Sequence, residues 1–312
     1  MALFQPDEAT GADRDPEAAA DAEVVISAGA RTSRTDHGKP VRTGARLDIV
    51  FWLSVLWVAA VLFSAVFANV LHLQPTDTPS GPPSAGPSWA HPFGTDNIGL
   101  DLFSLCVHGA RMATIIALST AALGIVVGGL SGLIAGFYHG VIEQVLMWVT
   151  DVMLAFPALV FALAVVSFAG ASLTTVVITI AVLGIPGFAR VGRALTLSHS
   201  QRPFVMASQA MGARKSRTMF REVLPNVIVP VATYAALAAA LAIIAEGALA
   251  FLGLSAPDVV DWGAMINQGK DQLYQAPQAA FAPMLVMFLT IVSLNFLGER
   301  LGAVLDPRQG QL

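Results

Sequence analysis

Glu246 is the one carboxylate set well inside an apolar run, in AIIAEGALAF. Hydrocarbon tolerates an ionisable group only beside a polar partner or a water-filled path, so such an acid is a candidate pathway residue. It lies about two turns from the outer end of its run, which equally fits an anchor bonded to the adjoining loop and favours that reading. Asp151 and Glu299 fall near the other ends of runs, where interfacial solvation accounts for them, and Asn295 reads as interhelical glue. His37, His72, His91, His108, His139 and His199 are scattered without metal-ligand spacing. There is no G-x-x-x-x-G-K-[ST] loop to cradle ATP phosphates, no H-E-x-x-H and no G-x-S-x-G elbow. The single cysteine, Cys106, precludes an internal disulfide and reads as a small apolar residue. Basic residues lack the aromatic interleaving of a nucleic-acid face. Neither catalysis nor a cofactor or metal bound by this chain is expected.

The elements that must position these residues are membrane helices. Of 312 residues 55% are hydrophobic and only 12% charged, against about 25% charged in ordinary globular chains. Six continuous apolar runs reach membrane length: Leu47–Val70, Met112–Phe137, Val145–Phe168, Leu173–Arg190, Val227–Leu252 and Ala279–Leu297. Continuous runs exclude a β-barrel, and backbone satisfaction in lipid leaves helices. The chain is therefore expected to be an all-α integral membrane protein with six transmembrane helices. All Lys and Arg residues except Arg111 and Lys270 fall on one side of this arrangement. The positive-inside rule then places both termini in the cytosol.

The expected organisation is a disordered, Ala/Asp/Glu-rich cytosolic tail over 1–46, a first transmembrane helix over 47–70 and an extracytoplasmic loop over 71–111. A core with five spans follows over 112–302, containing a cytosolic loop at 191–226, and a cytosolic end over 303–312. The tail begins acidic and its first apolar run starts late, unlike a signal peptide. A second outward loop, Gly253–Gln278, has the Gly/Pro punctuation of a reentrant loop or short interfacial helix around Trp262. Gly124, Gly128, Gly129, Gly132 and Gly136 form a small-residue ladder that fits packing within one bundle or between subunits. Pro157 and Pro186 interrupt their runs; each fits a bend in a pathway or a packing kink.

The polar insert RPFVMASQAMGARKSRTMFREVLPN, Arg202–Asn226, stands out between two apolar runs. Its spacing predicts a helix over Phe204–Met211 with Phe204, Ala207, Ser208 and Met211 on one face. Gly212 is placed to stop it in a left-handed C′ conformation. A second helix is expected over Arg214–Leu224, with Met219, Phe220, Val223 and Leu224 on its apolar stripe and Arg214, Arg217 and Arg221 on another face. Pro225 is expected to end it. Such a hairpin could seat in a partner groove, or lie on anionic headgroups at about 1 kcal/mol per basic residue; physics leaves both open.

This insert resembles the cytosolic "EAA" loop of bacterial ABC-importer permeases. Gly212 and Leu224-Pro225 match in register, while Met206 replaces the glutamate and Ser208 the second alanine. HPFGTDNIGLDLFS is similar to an outward-facing segment of C-type dipeptide/oligopeptide permeases, with Leu100 where that family usually has arginine. DVMLAFPAL, AEGALAFLGL, WGAMINQG and LNFLGERLGAVLDPR follow in the order of the same subfamily, so the resemblance covers about residues 45 to 308.

The resemblance implies a type I ABC importer permease fold (MetI-like) whose first span packs peripherally. It implies a heterodimer with a homologous second permease, two ATPase subunits or domains that use ATP and Mg, and an extracytoplasmic solute-binding protein. It implies lipid but no nucleic acid as a partner, and a multi-pass location in the bacterial cytoplasmic (inner) membrane. Phe204–Arg217 would then be the coupling helix, with Phe204, Ala207, Ser208, Met211, Gly212, Ala213, Arg214, Arg217, Phe220 and Pro225 at the ATPase contact. Pro157, Pro186 and Glu246 remain pathway or structural candidates. Peptides are the expected substrate; nickel, haem or glutathione fit the same subfamily. A stand-alone secondary transporter is the alternative from another class, for which no internal repeat is evident.

Overall fold

The computed structural model describes residues 44–305, with side chains described over 49–303. Most of the tail expected over 1–46 and of the segment expected over 303–312 lies outside the described residues. Helix α1 is Gly44–Phe67. Helix α2, Leu102–Leu123, runs through a π-helical turn, Gly124–Gly129, into α3, Leu130–Tyr138. Then come α4, Val141–Ala155, and α5, Ala158–Ala169, followed by α6, Leu173–Ser200. The polar insert supplies α7, Pro203–Ala210, and the short α8, Lys215–Thr218. A second π turn, Met219–Val223, leads into α9, Leu224–Phe251. Helices α10, Trp262–Lys270, and α11, Gln278–Leu305, complete the order. Among the described residues, extended pairing is confined to an isolated bridge between Thr95 and Asp101.

Five segments are long and apolar enough to cross a membrane, and α4 with α5 makes a sixth if that pair, bent by 80°, is one span. Several boundaries differ from the hydropathy reading, each for a physical reason. Helix α2 starts at Leu102 rather than Met112, because the Asp101 carboxylate accepts from the Ser104 amide at 2.8 Å and caps it. Helix α6 continues past Arg190 to Ser200, since a helix leaving lipid can extend while its composition turns polar. Pro225 does not end the second insert helix: Lys215–Phe251 is continuous. The proline ring would collide with the carbonyl four residues back, at Arg221, and the π turn over Met219–Val223 opens the register there.

The glycine ladder packs within the chain. A Cβ on Gly128 would lie 2.5 Å from the Ile185 carbonyl oxygen, and one on Gly136 would lie 2.7 Å from the Thr196 Cβ, both on α6. This contact brings the two helix backbones together as small residues allow. Towards the end of the bundle that carries the insert, Leu133, Phe137, Phe188, Val205, Met219, Val223 and Val227 form one buried cluster. Towards the opposite end Leu102, Leu105, Cys106, Ile243, Trp262 and Ala279 form another. Leu100 joins that second cluster, so an apolar side chain fills the position where the resembling family carries arginine. Trp262 is buried as well, and its Nε1 donates to the Cys106 carbonyl at 2.9 Å. It ties α10, the short helix of the Gly253–Gln278 loop, to α2. Helix α1 is largely exposed and leans on α11, with Trp57 Nε1 donating to Thr290 Oγ1 at 3.1 Å.

Candidate functional site

The insert folds into the expected helix, turn and helix. The Gly212 amide donates to the Gln209 carbonyl at 2.9 Å and the Ala213 amide to the Ser208 carbonyl at 3.2 Å. With Gly212 at φ +84°, this is a Schellman stop, and a Cβ at that position would meet open space. The glycine is required by the backbone angle, not by crowding.

One residue outside the expected face anchors the hairpin. Val205 is fully buried and packs in the cluster with Met219 and Val223. The second stripe divides: Met219 and Val223 point inward, Phe220 outward, and Leu224 is half-buried. Phe204, Met206, Ala207, Met211 and Phe220 are exposed, Met211 by 83%, while Ser208 and Ala213 are half-buried. Arg214, Arg217, Arg221 and Pro225 are exposed too. The hairpin therefore exposes both apolar and arginine side chains, with Phe204 and Met211 aligned on one face of α7. Val205 lies off the Phe204–Met211 face that the spacing singles out, on the alternative stripe of α7.

Two ion pairs tie α4 to α6 above the hairpin. The Arg193 guanidinium grips Glu143, its Nε donating at 2.8 Å, and His139 Nδ1 lies 3.6 Å from the same carboxylate. Arg190 donates to Asp151 at 2.7 Å. Asp151, expected to be solvated, is 62% exposed and in addition has a specific partner 39 positions along the chain, which no local pattern reveals. Asn295, read as interhelical, bonds back to the Ile291 carbonyl of its own helix at 2.9 Å.

The remaining candidates lie apart from the hairpin and from each other. Pro157 is exposed at the 80° break between α4 and α5. Pro186 is buried inside the continuous helix α6, beside the Ile185 carbonyl that receives Gly128. Glu246 is 4% exposed near the far end of α9 and lies close enough to Asp261 for the two acids to repel. Asp261 caps α10, its Oδ1 accepting from the Ala264 amide at 2.6 Å. Burial pushes the Asp261 carboxyl above the ordinary range, against hydrogen bonds that pull it down.

The backbone is similar to a chain of the MetNI methionine ABC transporter in inward-facing conformations, with a TM-score of 0.56. The match covers 65% of this chain and 96% of that one at 15% identity. This is the fold of an ABC-importer membrane permease. Sequence narrows the class: the model of the "binding-protein-dependent transport system inner membrane component" family matches residues 124–311, and the chain belongs to that family.

Among its relatives, the glutathione transport system permease protein GsiD of Pectobacterium atrosepticum is 36% identical over 224 residues, covering 72% of this chain and 74% of that protein. The dipeptide transport system permease protein DppC of Alkalihalophilus pseudofirmus is 32% identical over 258 residues, 82% and 85% of the two chains. The di/tripeptide permease protein DppC of Pseudomonas aeruginosa is 34% identical over 262 residues, 81% and 86%.

Proposed function

We propose that this chain is one permease subunit of an ATP-driven importer that carries small peptides across the cytoplasmic membrane, with both termini in the cytosol. The relatives named for dipeptide, di/tripeptide and glutathione transport support the substrate class. All three are short peptides or peptide-like, with free charged ends. Glutathione is the second reading, because the relative at 36% identity is named for it.

The single observation that carries the mechanism is the exposed apolar patch on the arginine-bearing hairpin, where Phe204 and Met211 line up seven residues apart along α7, with Met206 and Phe220 exposed on its other faces. That patch is the seat for an ATPase partner. Nucleotide-driven closure of two ATPase subunits, using ATP and Mg, displaces the hairpin. Val205 and the cluster around it pass the movement to α6 and α9 as rigid bodies. A homologous second permease completes the pathway, and an extracytoplasmic binding protein delivers the peptide. This chain itself carries no catalytic step.

The test is reconstitution of the complete transporter in proteoliposomes, following labelled alanylalanine and glutathione. Uptake is expected to require ATP and the binding protein and to survive collapse of the proton gradient. Uptake that persists without ATP and stops with the gradient would establish a secondary transporter instead. A disulfide between Met211→Cys and an ATPase-subunit cysteine would place the patch in the coupling contact.

A further inference from the structure

Helix α1 is the least buried of the five membrane-length segments, and it does not close against the bundle. Two cavities, of about 220 and 270 Å³, remain between them. Both run along one stripe of α2, where Phe103, Cys106 and Ala110 border the larger chamber and Ala113, Ala117 and Ala121 the smaller. These spacings of three and four keep all six on one helical face. Phe103 to Ala121 is about 27 Å of helix at about 1.5 Å per residue, close to the hydrocarbon thickness of about 30 Å. Val61 of α1 borders both chambers. The bond from Trp57 Nε1, on the larger chamber, to Thr290 Oγ1, on the smaller, holds α1 to α11.

The lining decides what can fill these chambers. No charged side chain borders either one. The Thr290 hydroxyl is engaged twice, donating to the Val286 carbonyl at 2.8 Å and accepting from Trp57 at 3.1 Å. The Trp262 indole, on the larger chamber, is committed to the Cys106 carbonyl. Thr114 and Ser64 are the remaining hydroxyls, one to each chamber. A water needs about two to four polar partners, whereas an apolar cavity of about 150 Å³ stays dry and takes up benzene. Hydrocarbon therefore suits both spaces and water does not. Leu62 and Leu118 border the smaller chamber and are exposed, so it opens on the flank of a span, where the medium is lipid. A helix, about 10–12 Å across, fits neither chamber, so a second permease could fill them only by expelling α1.

We infer that the groove between α1 and α2 is an acyl-chain site, in which fatty-acyl tails of bilayer phospholipids occupy both chambers. A tail enters from the flank of α1 beside Leu62 and Leu118 and lies against the α2 stripe. It supplies the packing that α1 lacks, since a void leaves the atoms lining it without contact partners. Recognition is by shape and hydrocarbon contact, and the head group stays outside the groove at the membrane surface. The site rests on the membrane location of the chain and not on the peptide reading.

The experiment uses the complete transporter in vesicles of phosphatidylethanolamine and phosphatidylglycerol, with a trace of phosphatidylcholine that carries a diazirine in mid-chain. Light fixes the tail to whatever it touches, and digestion with mass spectrometry maps the adducts. Adducts are expected on Val107, Ala110 and Ala117 of the groove, besides those on Trp52 and Leu56 of the exposed face of α1. Val107→Phe and Ala117→Phe fill the larger and the smaller chamber. Each is expected to lower the adducts in its own chamber about fivefold, because the added ring takes the space. Trp52 and Leu56 are expected to label as before. Adducts confined to Trp52 and Leu56 would overturn the proposal, and so would groove adducts that both fillings leave unchanged. Loss of label from the groove and from Trp52 and Leu56 together would show that protein covers the flank, which overturns it as well. If neither variant assembles, the wild-type map decides alone: adducts on Ala110 and Ala117 uphold the site and their absence defeats it.

Discussion

Gly128 lies directly against the backbone of Ile185, so that a Cβ on the glycine would sit 2.5 Å from the Ile185 carbonyl oxygen. A main-chain atom in the middle of α6 cannot turn aside as a side-chain tip would. Gly128→Val is therefore expected to separate the two helices and destabilise the fold by about 1–3 kcal/mol, the usual cost of overpacking. Thermal unfolding in detergent, followed by size-exclusion fluorescence, measures it. Gly86→Ala, where a Cβ meets nothing, is expected to leave the midpoint unchanged.

The ladder also shows what the sequence could and could not disclose. Small residues every fourth position announced a close helix contact, but the partner helix is 57 positions further on at Ile185, beyond any local pattern. Hydropathy located the spans and missed their polar extensions, because α2 before Met112 and α6 after Arg190 continue as helix in sequence that is no longer uniformly apolar. Pro225 misled for a similar reason, its conflict with the preceding turn being absorbed by the π register over Met219–Val223. Gly212 was legible from sequence because a left-handed stop is a local requirement. The bond between Asp151 and Arg190 was not, because two helices must first be packed to bring them together.

Gly212 is held by its backbone angle alone. Gly212→Val and Gly212→Trp are each expected to strain the hairpin by about 1–2 kcal/mol, with room for either side chain in the space beyond. Asn tolerates the left-handed region better. The ratio of peptide transported to ATP hydrolysed is expected to fall in the Val and Trp variants and to be largely kept in Gly212→Asn. Membrane insertion is expected to stay normal in all three. Normal coupling in Gly212→Trp would detach the hairpin from the ATPase contact.

Trp262 joins α10 to α2 through its bond to the Cys106 carbonyl. Trp262→Phe keeps most of the ring and removes that bond, at an expected cost of about 1 kcal/mol. Trp262→Ala adds a cavity in the cluster containing Leu102, Leu105 and Met265, for a total of about 3–5 kcal/mol. Thermal midpoints of the two variants, compared with wild type, should fall in that order.

Asp261 gives the same end of the bundle a dependence on pH. Its carboxyl is buried, which raises its pKa, and the Ala264 amide bond only partly offsets this. The folded chain then binds the Asp261 proton more tightly than the unfolded chain, where the value is about 3.9. This group's contribution to stability therefore declines as pH rises through the window from the unfolded value to the raised folded one, and is constant above it. Asp261→Asn keeps a side-chain oxygen to cap α10, since Asn and Asp serve comparably there, and removes the titration. Subtracting the wild-type thermal midpoint from the variant's at each pH isolates this residue together with its repulsion of Glu246, which acts in the same direction. The difference is expected to move in the variant's favour as pH rises from about 4, and then to level off. A difference that is flat, or that moves the other way, would show that the cap holds Asp261 ionised despite its burial.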